Sequence, residues 1–367
     1  MAADAIRIEL LPARMGDCIL VECLRDGRDP WRLLADGGPP DTWPLLKERL
    51  HRLATEGQVV DVAVVTHIDS DHIGGMVPLL SEELARSMVR DVWFNGAPQL
   101  PPVVRERVRS VTQGEEIGAA VVGSDGQQPL PWNAAFGGTA IDVGEPGGFV
   151  PVIVPNGPAV TVLSPTTKRL TALGRRWRQT LEQANGDDER ERGLDTPLPL
   201  ADLASLSALR SASDGSTPNG SSIALLLEHR GASVLLAADA FGSVLTAGLE
   251  ALARHRGVDA VAVDAVKVPH HGSRANVSAA FVRVVPARHY LVSTNGDIFH
   301  HPDDEAVARI VVGAPAGATL WFNYRTPRTA RWDDPQLQAR HGYEVRYPED
   351  DTSGVVLTLP ARAGSPR

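Results

Sequence analysis

The chain has 367 residues, enough to bury a sizeable core without disulfides, and its 43% hydrophobic and 22% charged residues are typical of a globular protein. A net charge of −9 disfavours a general nucleic-acid-binding protein, because such binding depends on positive charges that neutralise phosphates. The first residues lack the basic and apolar regions of a signal peptide, and no apolar run reaches about 18 residues. We therefore expect a cytoplasmic protein without a membrane partner.

The first quarter of the chain predicts a β-meander followed by a helix and a buried strand. Alternating or apolar runs indicate strands at 6–10, 18–22 and 31–35, and both cysteines are expected in or beside an early strand as small apolar fillers. Trp43 and several leucines at helical spacing predict a helix over 41–56. The apolar run 59–65 predicts a strand that is buried on both faces. Gly74-Gly75 and the apolar residues that follow predict a helix packed closely behind the next loop.

The middle of the chain changes composition. Pro and Gly are frequent in 96–160, where short strands are expected at 140–143, 150–154 and 160–163. We interpret 166–217 as an inserted helical or irregular lid within a single domain that covers 1–367. This segment contains a basic stretch (Lys168, Arg169, Arg175, Arg176 and Arg178), an acidic cluster (Asp187, Asp188 and Glu189) and a Leu/Ala/Ser-rich part.

Strands and helices resume after residue 220, which indicates a layered α/β fold. The sequence predicts a hairpin of strands 221–228 and 233–238, a helix over 241–256, strands at 260–268 and 290–293, a helix over 303–312 and strands at 319–322 and 354–359.

The histidines are clustered. Six of the 11 lie in three short segments, each directly after a predicted strand. Because strand ends on one side of an α/β sandwich meet at one edge, where binding sites form, we expect these segments to lie together. The three segments are His67/His72, His270/His271 and His300/His301.

The run His67-x-Asp69-x-Asp71-His72 places four potential metal ligands within six residues. Imidazole and carboxylate groups both suit zinc. A loop after a strand can direct all four inward, whereas a helix would scatter them around its axis. The alternative is a polar loop whose aspartates cap the next helix.

Two later strand ends offer partners for this run. Asp239 ends an apolar strand, where a carboxylate is costly unless it is paired or binds a metal; the alternative is a cap for the following helix. After the next strand, one residue of His270-His271 can bind a metal while the other packs or forms hydrogen bonds. We favour His270 as the ligand and His271 as its support. The alternative is a surface turn with two histidines.

These pieces together resemble the metallo-β-lactamase-fold hydrolases, and among them the branch represented by the hydrolase domain of ComEC-type DNA-uptake proteins. The related phosphorylcholine esterases share the pattern. The pieces occur in the family's order over about 6–303, and the resemblance implies a four-layer αββα sandwich. They are Gly16-Asp17-Cys18-Ile19-Leu20, Leu34-Ala35-Asp36-Gly37-Gly38, residues 66–75, Asn219-Gly220-Ser221-Ser222-Ile223, residues 236–239, residues 267–273 and His300-His301-Pro302.

The resemblance also implies two divalent metal ions, zinc or alternatively manganese. Asp69 stands where most of the superfamily has a histidine, as is frequent in the ComEC-type branch. A further histidine of the superfamily has no match before Asp239, although the strand end at 163–165 is its expected place. The first metal is therefore one ligand short. The implied ligands are His67 and Asp69 for the first metal, Asp71, His72 and His270 for the second, and Asp239 as a bridge.

Three residues have expected roles around the metals. Asp36 is expected to orient a ligand or the loop, although it also suits a simple turn before two glycines. His301 is expected to line the pocket and contact a phosphate or leaving group, or else to be a structural histidine before Pro302. Asp71 is expected to orient the attacking water or to take its proton.

The preferred functional hypothesis is a hydrolase in which metal-activated water attacks a phosphodiester, as in a nuclease or phosphodiesterase. The first alternative is a hydrolase of a small carboxylic ester, lactone or thioester, which the acidic composition favours. The second is a metal-binding regulatory module with weak or no catalysis. The basic run 168–178 suits either contact with a phosphate backbone or a solvated helix face. Nucleic acid is thus an open possibility as a partner, and the sequence does not determine the oligomeric state.

Overall fold

The structure is a computed structural model that describes residues 4–100, 112–123, 128–144, 151–182, 192–350 and 352–362. The acidic cluster Asp187-Asp188-Glu189 and the side chain of Arg178 lie outside the described part of the chain. No helix of the described residues has both the length and the apolar character needed to cross a membrane.

The described residues form fourteen strands and thirteen α-helices. The strands are β1 (Ala5–Leu10), β2 (Ile19–Arg25), β3 (Arg28–Ala35), β4 (Val62–Val64), β5 (Val92–Trp93), β6 (Val152–Ile153), β7 (Ala159–Ser164), β8 (Ala224–His229), β9 (Ala232–Leu236), β10 (Val263–Lys267), β11 (Ala287–Val292), β12 (Ala318–Phe322), β13 (Tyr343–Arg346) and β14 (Val355–Pro360). The helices are α1 (Trp43–Thr55), α2 (Ser70–Ile73), α3 (Met76–Ser81), α4 (Glu83–Met88), α5 (Thr112–Val122), α6 (Thr167–Glu182), α7 (Leu203–Ser207), α8 (Thr217–Gly220), α9 (Gly242–Arg256), α10 (Ala279–Val284), α11 (Asp304–Gly313), α12 (Pro327–Ala330) and α13 (Pro335–His341).

The strands form two mixed sheets. The first has the order β14-β1-β2-β3-β4-β5, and the second has the order β13-β12-β11-β10-β9-β8-β7-β6. In the first sheet β3, β4 and β5 are parallel, and in the second sheet β9 to β13 are parallel. The remaining pairs are antiparallel.

The two sheets pack face to face, and helices cover both outer faces. Alternate residues along a strand point to opposite faces. Leu225 and Leu227 of β8 accordingly join the core between the sheets, while Leu226 joins the core under α9, α10 and α11. Val62 and Val64 of β4 join the inner core, and Ala63 joins the core under α1, α3 and α5. This arrangement confirms the predicted four-layer αββα sandwich.

The parallel strands place one end of both sheets at a common edge. The residues that follow β3, β4, β9, β10 and β11 all reach this edge. A hydrogen bond from the backbone N–H of Ile223 to the carbonyl of Thr66 (3.0 Å) ties the two sheets together there. The edge therefore collects the histidine and aspartate segments.

The described parts of 166–217 pack on both helix layers. Leu173 and Trp177 of α6 join the core under α1, α3 and α5. Leu203 and Leu206 of α7 join the core under α9 to α11. The division into one domain with an insertion at 166–217 stays a prediction.

Several elements differ from those predicted. Residues 140–143 form no strand, and β6 is confined to Val152–Ile153. The short strands β5 and β13 and the helices α5 and α10 were not expected. β5 and β13 have two and four residues, too few for a hydrophobic period to stand out from the surrounding sequence.

Candidate metal centre

Strained backbone marks the strand ends at the common edge. Asp36, Ala238, His270 and His271 have positive φ angles of 60°, 48°, 46° and 52°. Residues with a Cβ rarely adopt this conformation, which persists only where the surrounding structure holds it. The strain therefore concentrates where the metal-capable side chains are held in place.

Glycines allow the loops of this edge to touch backbone to backbone. A Cβ on Gly16 would overlap the carbonyl oxygen of Asp71, and a Cβ on Gly75 would overlap the carbonyl oxygen of Gly37. This close approach agrees with the tight packing predicted from Gly74-Gly75.

The segment that follows β4 is only partly a loop. Asp71 and His72 lie in the single turn of α2, so the expectation that a loop carries all four ligands is wrong. Asp71 and His72 are adjacent in this turn, and both side chains lie within 4 Å of Nε2 of His271. Asp69 is the residue before the helix, and its side chain makes no capping hydrogen bond. The alternative role as a cap therefore does not account for Asp69.

Four buried side chains converge as a cluster that we call the second cluster: Asp71, His72, His271 and Asp239. The Nε2 atom of His72 lies 3.2 Å from Nε2 of His271, 3.4 Å from Oδ2 of Asp239 and 3.9 Å from Oδ2 of Asp71. The Nε2 atom of His271 lies 3.5 Å from Oδ2 of Asp239 and 3.8 Å from Oδ2 of Asp71. Four ligands at zinc-binding distance in a tetrahedron lie about 3.3–3.6 Å apart, which is close to this spacing.

The hydrogen bonds behind the two imidazoles determine which nitrogen carries the proton. Nδ1 of His271 lies 2.7 Å from the backbone carbonyl of Ser293, and Nδ1 of His72 lies 2.8 Å from Oδ2 of Asp36. Both partners accept, so each Nδ1 donates, and in the neutral form of each ring the lone pair is on Nε2. Two such lone pairs at 3.2 Å repel unless a proton or a metal cation lies between them. The residues present thus fit a divalent metal.

A smaller group adjoins this cluster, and we call it the first cluster: His67, Asp69 and Asp239. Nε2 of His67 lies 3.7 Å from Oδ2 of Asp69. The hydroxyl of Thr66 donates to Oδ2 of Asp36 (2.7 Å) and faces Nδ1 of His67 (3.0 Å), so it accepts from that nitrogen. The lone pair of His67 is then on Nε2, and it is available to a metal.

Buried atoms without hydrogen-bond partners indicate metal binding at both clusters. Among the described residues, Nε2 of His67 and Oδ1 of Asp239 are buried and have no hydrogen-bond partner. Oδ2 of Asp239 faces the second cluster, while donor atoms of His67, His72 and Asp239 lie within 4.8 Å of one another. Asp239 therefore has the position that a bridging carboxylate needs.

The pKa shifts follow the same arrangement. Burial alone would raise the pKa of Asp239, but His271, His72 and His270 together hold it well below its ordinary value. Burial would lower the pKa of His72, but Asp239 and Asp36 outweigh burial and raise it well above its ordinary value. Asp239 is thus ionised, and a proton competes with any cation for His72.

Asp36 lies behind the centre and links its parts. Its Oδ1 accepts from the backbone N–H of Thr66 (2.8 Å), and its Oδ2 faces both the Thr66 hydroxyl and Nδ1 of His72. The carboxylate thus orients the backbone after β4 and one imidazole. This is the geometry that the expected orienting role requires.

A second buried carboxylate lies behind His271. Oδ2 of Asp17 pairs with Nζ of Lys267 at 2.5 Å, and its Oδ1 lies 3.5 Å from Nδ1 of His271. Burial would raise the pKa of Asp17, but Lys267 and the nearby histidines lower it. Neither residue received a role from the sequence, although a lysine at the end of an apolar strand was a usable signal.

The structure places His270 and His271 differently from what we expected. His271, and not His270, closes the second cluster. Nε2 of His270 lies 3.7 Å from Oδ2 of Asp239, while its Nδ1 lies 3.2 Å from Oδ2 of Asp214. The two left-handed residues turn their side chains in different directions, which the sequence does not reveal.

His301 does not lie open to a substrate. It is 1% exposed, its ring packs edge-on against His270 with centroids 5.2 Å apart, and Nδ1 lies 3.6 Å from Oδ2 of Asp303. Burial lowers the pKa of His301. His301 is therefore not placed to contact a substrate directly, and its ring packs against His270 instead. Its neighbour His300 faces Asp195.

A small cleft opens on the two clusters. The sequence assigned no role to two of its lining residues, Asn219 and Phe299, or to Asp214 beside His270. Asn219 stood in a motif that carried the resemblance, but Asp214 lies in the irregular segment 166–217, where no pattern marks it. The lining residues are Asp69, Asp71, Asn219, Asp239, His270 and Phe299.

Comparisons with known proteins agree with the fold. Residues 11–174 match the family model of the metallo-beta-lactamase superfamily, whose members are mostly metal-dependent hydrolases. A search of curated proteins gives no match.

Solved structures of low identity resemble the chain along most of its length. The metallo-beta-lactamase fold protein YhfI from Bacillus subtilis is 10% identical, with 97% of this chain and 100% of that chain covered and a TM-score of 0.44. Zn²⁺-bound PqqB from Methylobacterium extorquens is 12% identical, with 96% and 100% covered and a TM-score of 0.39. The metallo-β-lactamase MIM-1 from Novosphingobium pentaromativorans is 12% identical, with 84% and 86% covered and a TM-score of 0.32.

Proposed function

We propose that the chain is a dinuclear-metal-dependent hydrolase that cleaves a phosphodiester, as a nuclease or phosphodiesterase. The observation that carries the hydrolase proposal is the pair of imidazoles whose Nε2 lone pairs face each other at 3.2 Å beside Asp71 and Asp239. Asp69, in place of the histidine usual in the superfamily, supports a position in the ComEC-type branch. Zinc is the expected metal, because both clusters combine imidazole and carboxylate donors.

The chain's own residues have distinct tasks in this proposal. Metal ions held here would supply a water of lowered pKa and a Lewis acid for the phosphoryl oxygen. Asp71 lines the cleft and belongs to the second cluster, so its carboxylate can orient the attacking water and accept a proton. Asp36 and Ser293 hold the imidazoles in the orientation that this chemistry requires.

The position of α6 supports an anionic substrate. Leu170, Leu173 and Trp177 are buried at helical spacing and dock this helix on the protein, and the Trp177 ring and Ile68 both lie close to Gly114. Arg169 of the same helix lies over the ring of Phe241 at 4.4 Å, two residues after Asp239 in sequence. Arg169 thus brings one positive charge of α6 to a residue that closely follows Asp239 in sequence, in a chain that is acidic overall.

The test is turnover by the purified protein with Zn²⁺ or Mn²⁺. We expect cleavage of bis-p-nitrophenyl phosphate, DNA or RNA, and we expect Asp71→Ala and a chelator to abolish it. Asp26→Ala, which removes an exposed carboxylate from the hairpin between β2 and β3, is the matched control and should retain full activity.

The alternatives predict different results. Turnover of carboxylic esters, lactones or thioesters alone would show that the phosphodiester proposal is wrong. Two bound metals without turnover of any of these substrates would favour a regulatory module.

A further inference from the structure

Asn219 is a buried amide at the cleft that the proposed chemistry does not use. It lies on α8, is 3% exposed and lines the cleft together with carboxylates of both clusters. An uncharged side chain that is buried among ionised groups is expected to have a specific partner at each polar atom.

The orientation of this amide follows from its neighbour Asp214. Nδ2 of Asn219 donates to Oδ2 of Asp214 at 2.9 Å. The opposite orientation would place the amide oxygen against a carboxylate oxygen, which is repulsive. Asp214 is itself held, because it accepts from the backbone N–H of Ser216 (2.8 Å) and from Nδ2 of Asn276 (3.2 Å).

The amide oxygen is consequently directed away from Asp214. Within the part of the chain that the structure describes, Oδ1 of Asn219 is buried and accepts no hydrogen bond. A buried carbonyl without a partner has lost its hydrogen bond to water and gained none in return. Asp69, Asp71 and Asp239 line the same cleft, and their carboxylate oxygens are acceptors like Oδ1 of Asn219 itself.

We propose that Oδ1 of Asn219 is the missing ligand of the metal bound by the first cluster. The inference rests on the proposed dinuclear site and names the residue that completes it. With Asn219, the first cluster offers one imidazole and three oxygen donors, against two imidazoles and two carboxylates in the second cluster. Because imidazole suits zinc and an amide oxygen is a neutral donor, the first cluster binds zinc more weakly than the second.

The experiment measures bound zinc per chain by equilibrium dialysis against a zinc buffer, with mass spectrometry of the metal. We expect two ions in the wild-type protein. Asn219→Leu removes the oxygen at similar volume and should lower the affinity of the weaker site at least about 10-fold, so that one ion remains. Asn219→Asp keeps an oxygen at the ligand position but sets its other oxygen against Oδ2 of Asp214, so it should retain more of the weaker ion than Asn219→Leu and less than the wild-type protein.

Ser222→Ala is the matched control. Ser222 is also buried, its hydroxyl is also without a hydrogen-bond partner among the described residues, and it lies three residues from Asn219. We expect two ions with unchanged affinity. If Asn219→Leu does not fold, Asn219→Ala gives the same comparison, because it removes the oxygen without adding volume.

The outcomes separate this inference from the proposed function. Two ions of unchanged affinity in a folded Asn219→Leu or Asn219→Ala protein would overturn the inference, because the amide oxygen would then face water or substrate. A wild-type protein that binds fewer than two ions would instead contradict the dinuclear site.

Discussion

The two clusters share Asp239 but are built differently. In the second cluster, both imidazoles are held from behind by a carboxylate or a backbone carbonyl at 2.7–2.8 Å. In the first cluster, His67 is held through the hydroxyl of Thr66, which itself depends on Asp36. An anionic or backbone partner fixes a ring more firmly than a neutral hydroxyl does. The comparison indicates that the second cluster binds its metal more tightly than the first cluster does, and that Asp36 supports both clusters.

The largest expected effect separates the adjacent histidines. His271→Ala removes a donor of the second cluster, so we expect loss of tightly bound zinc and an affinity decrease of about 100-fold or more. His270→Ala leaves that cluster intact and should retain the tight ion. Zinc titration with a chromophoric chelator measures both variants. Equal losses of zinc affinity in the two variants would contradict the assignment of His271, rather than His270, to the second cluster.

The next effect tests the shared support. Asp36→Asn replaces the charged acceptor of Nδ1 of His72 and of the Thr66 hydroxyl by a neutral amide. We expect affinity at both clusters to fall by about 10- to 100-fold while the fold persists. The same titration measures it, with circular dichroism as the check on folding. An effect confined to one cluster would contradict the position of Asp36 behind both.

The smallest effect isolates the first cluster. Thr66→Val keeps the shape of the side chain but removes the hydroxyl that accepts from Nδ1 of His67. We expect the weaker zinc affinity to fall about 10-fold and the tighter one to stay unchanged. Ser222→Ala serves as the control for loss of a buried hydroxyl. If the tighter ion is the one affected, the assignment of firm and weak sites is reversed.

Much of the fold could be predicted from the chain. The alternating residues of β1 and the apolar run that contains β4 indicate strands and their buried faces, whereas the two-sheet sandwich was expected from the resemblance to a known family. The elements that were missed are short or irregular. β5 has two residues and depends on its pairing with β4, which no local period encodes.

For the candidate site, too, local patterns could be predicted from the sequence, whereas contacts between distant residues could not. The sequence by itself determined the density of donors in 67–72 and the placement of Asp239 and His270-His271 after strands, because residues close in the chain or at parallel strand ends must lie close in space. Only the tertiary structure decided that His271 joins Asp71 and His72, that His301 is buried behind His270, and that the oxygen of Asn219 is directed away from Asp214. Those outcomes depend on left-handed backbone turns and on partners distant in sequence, which orient a side chain without leaving a pattern around it.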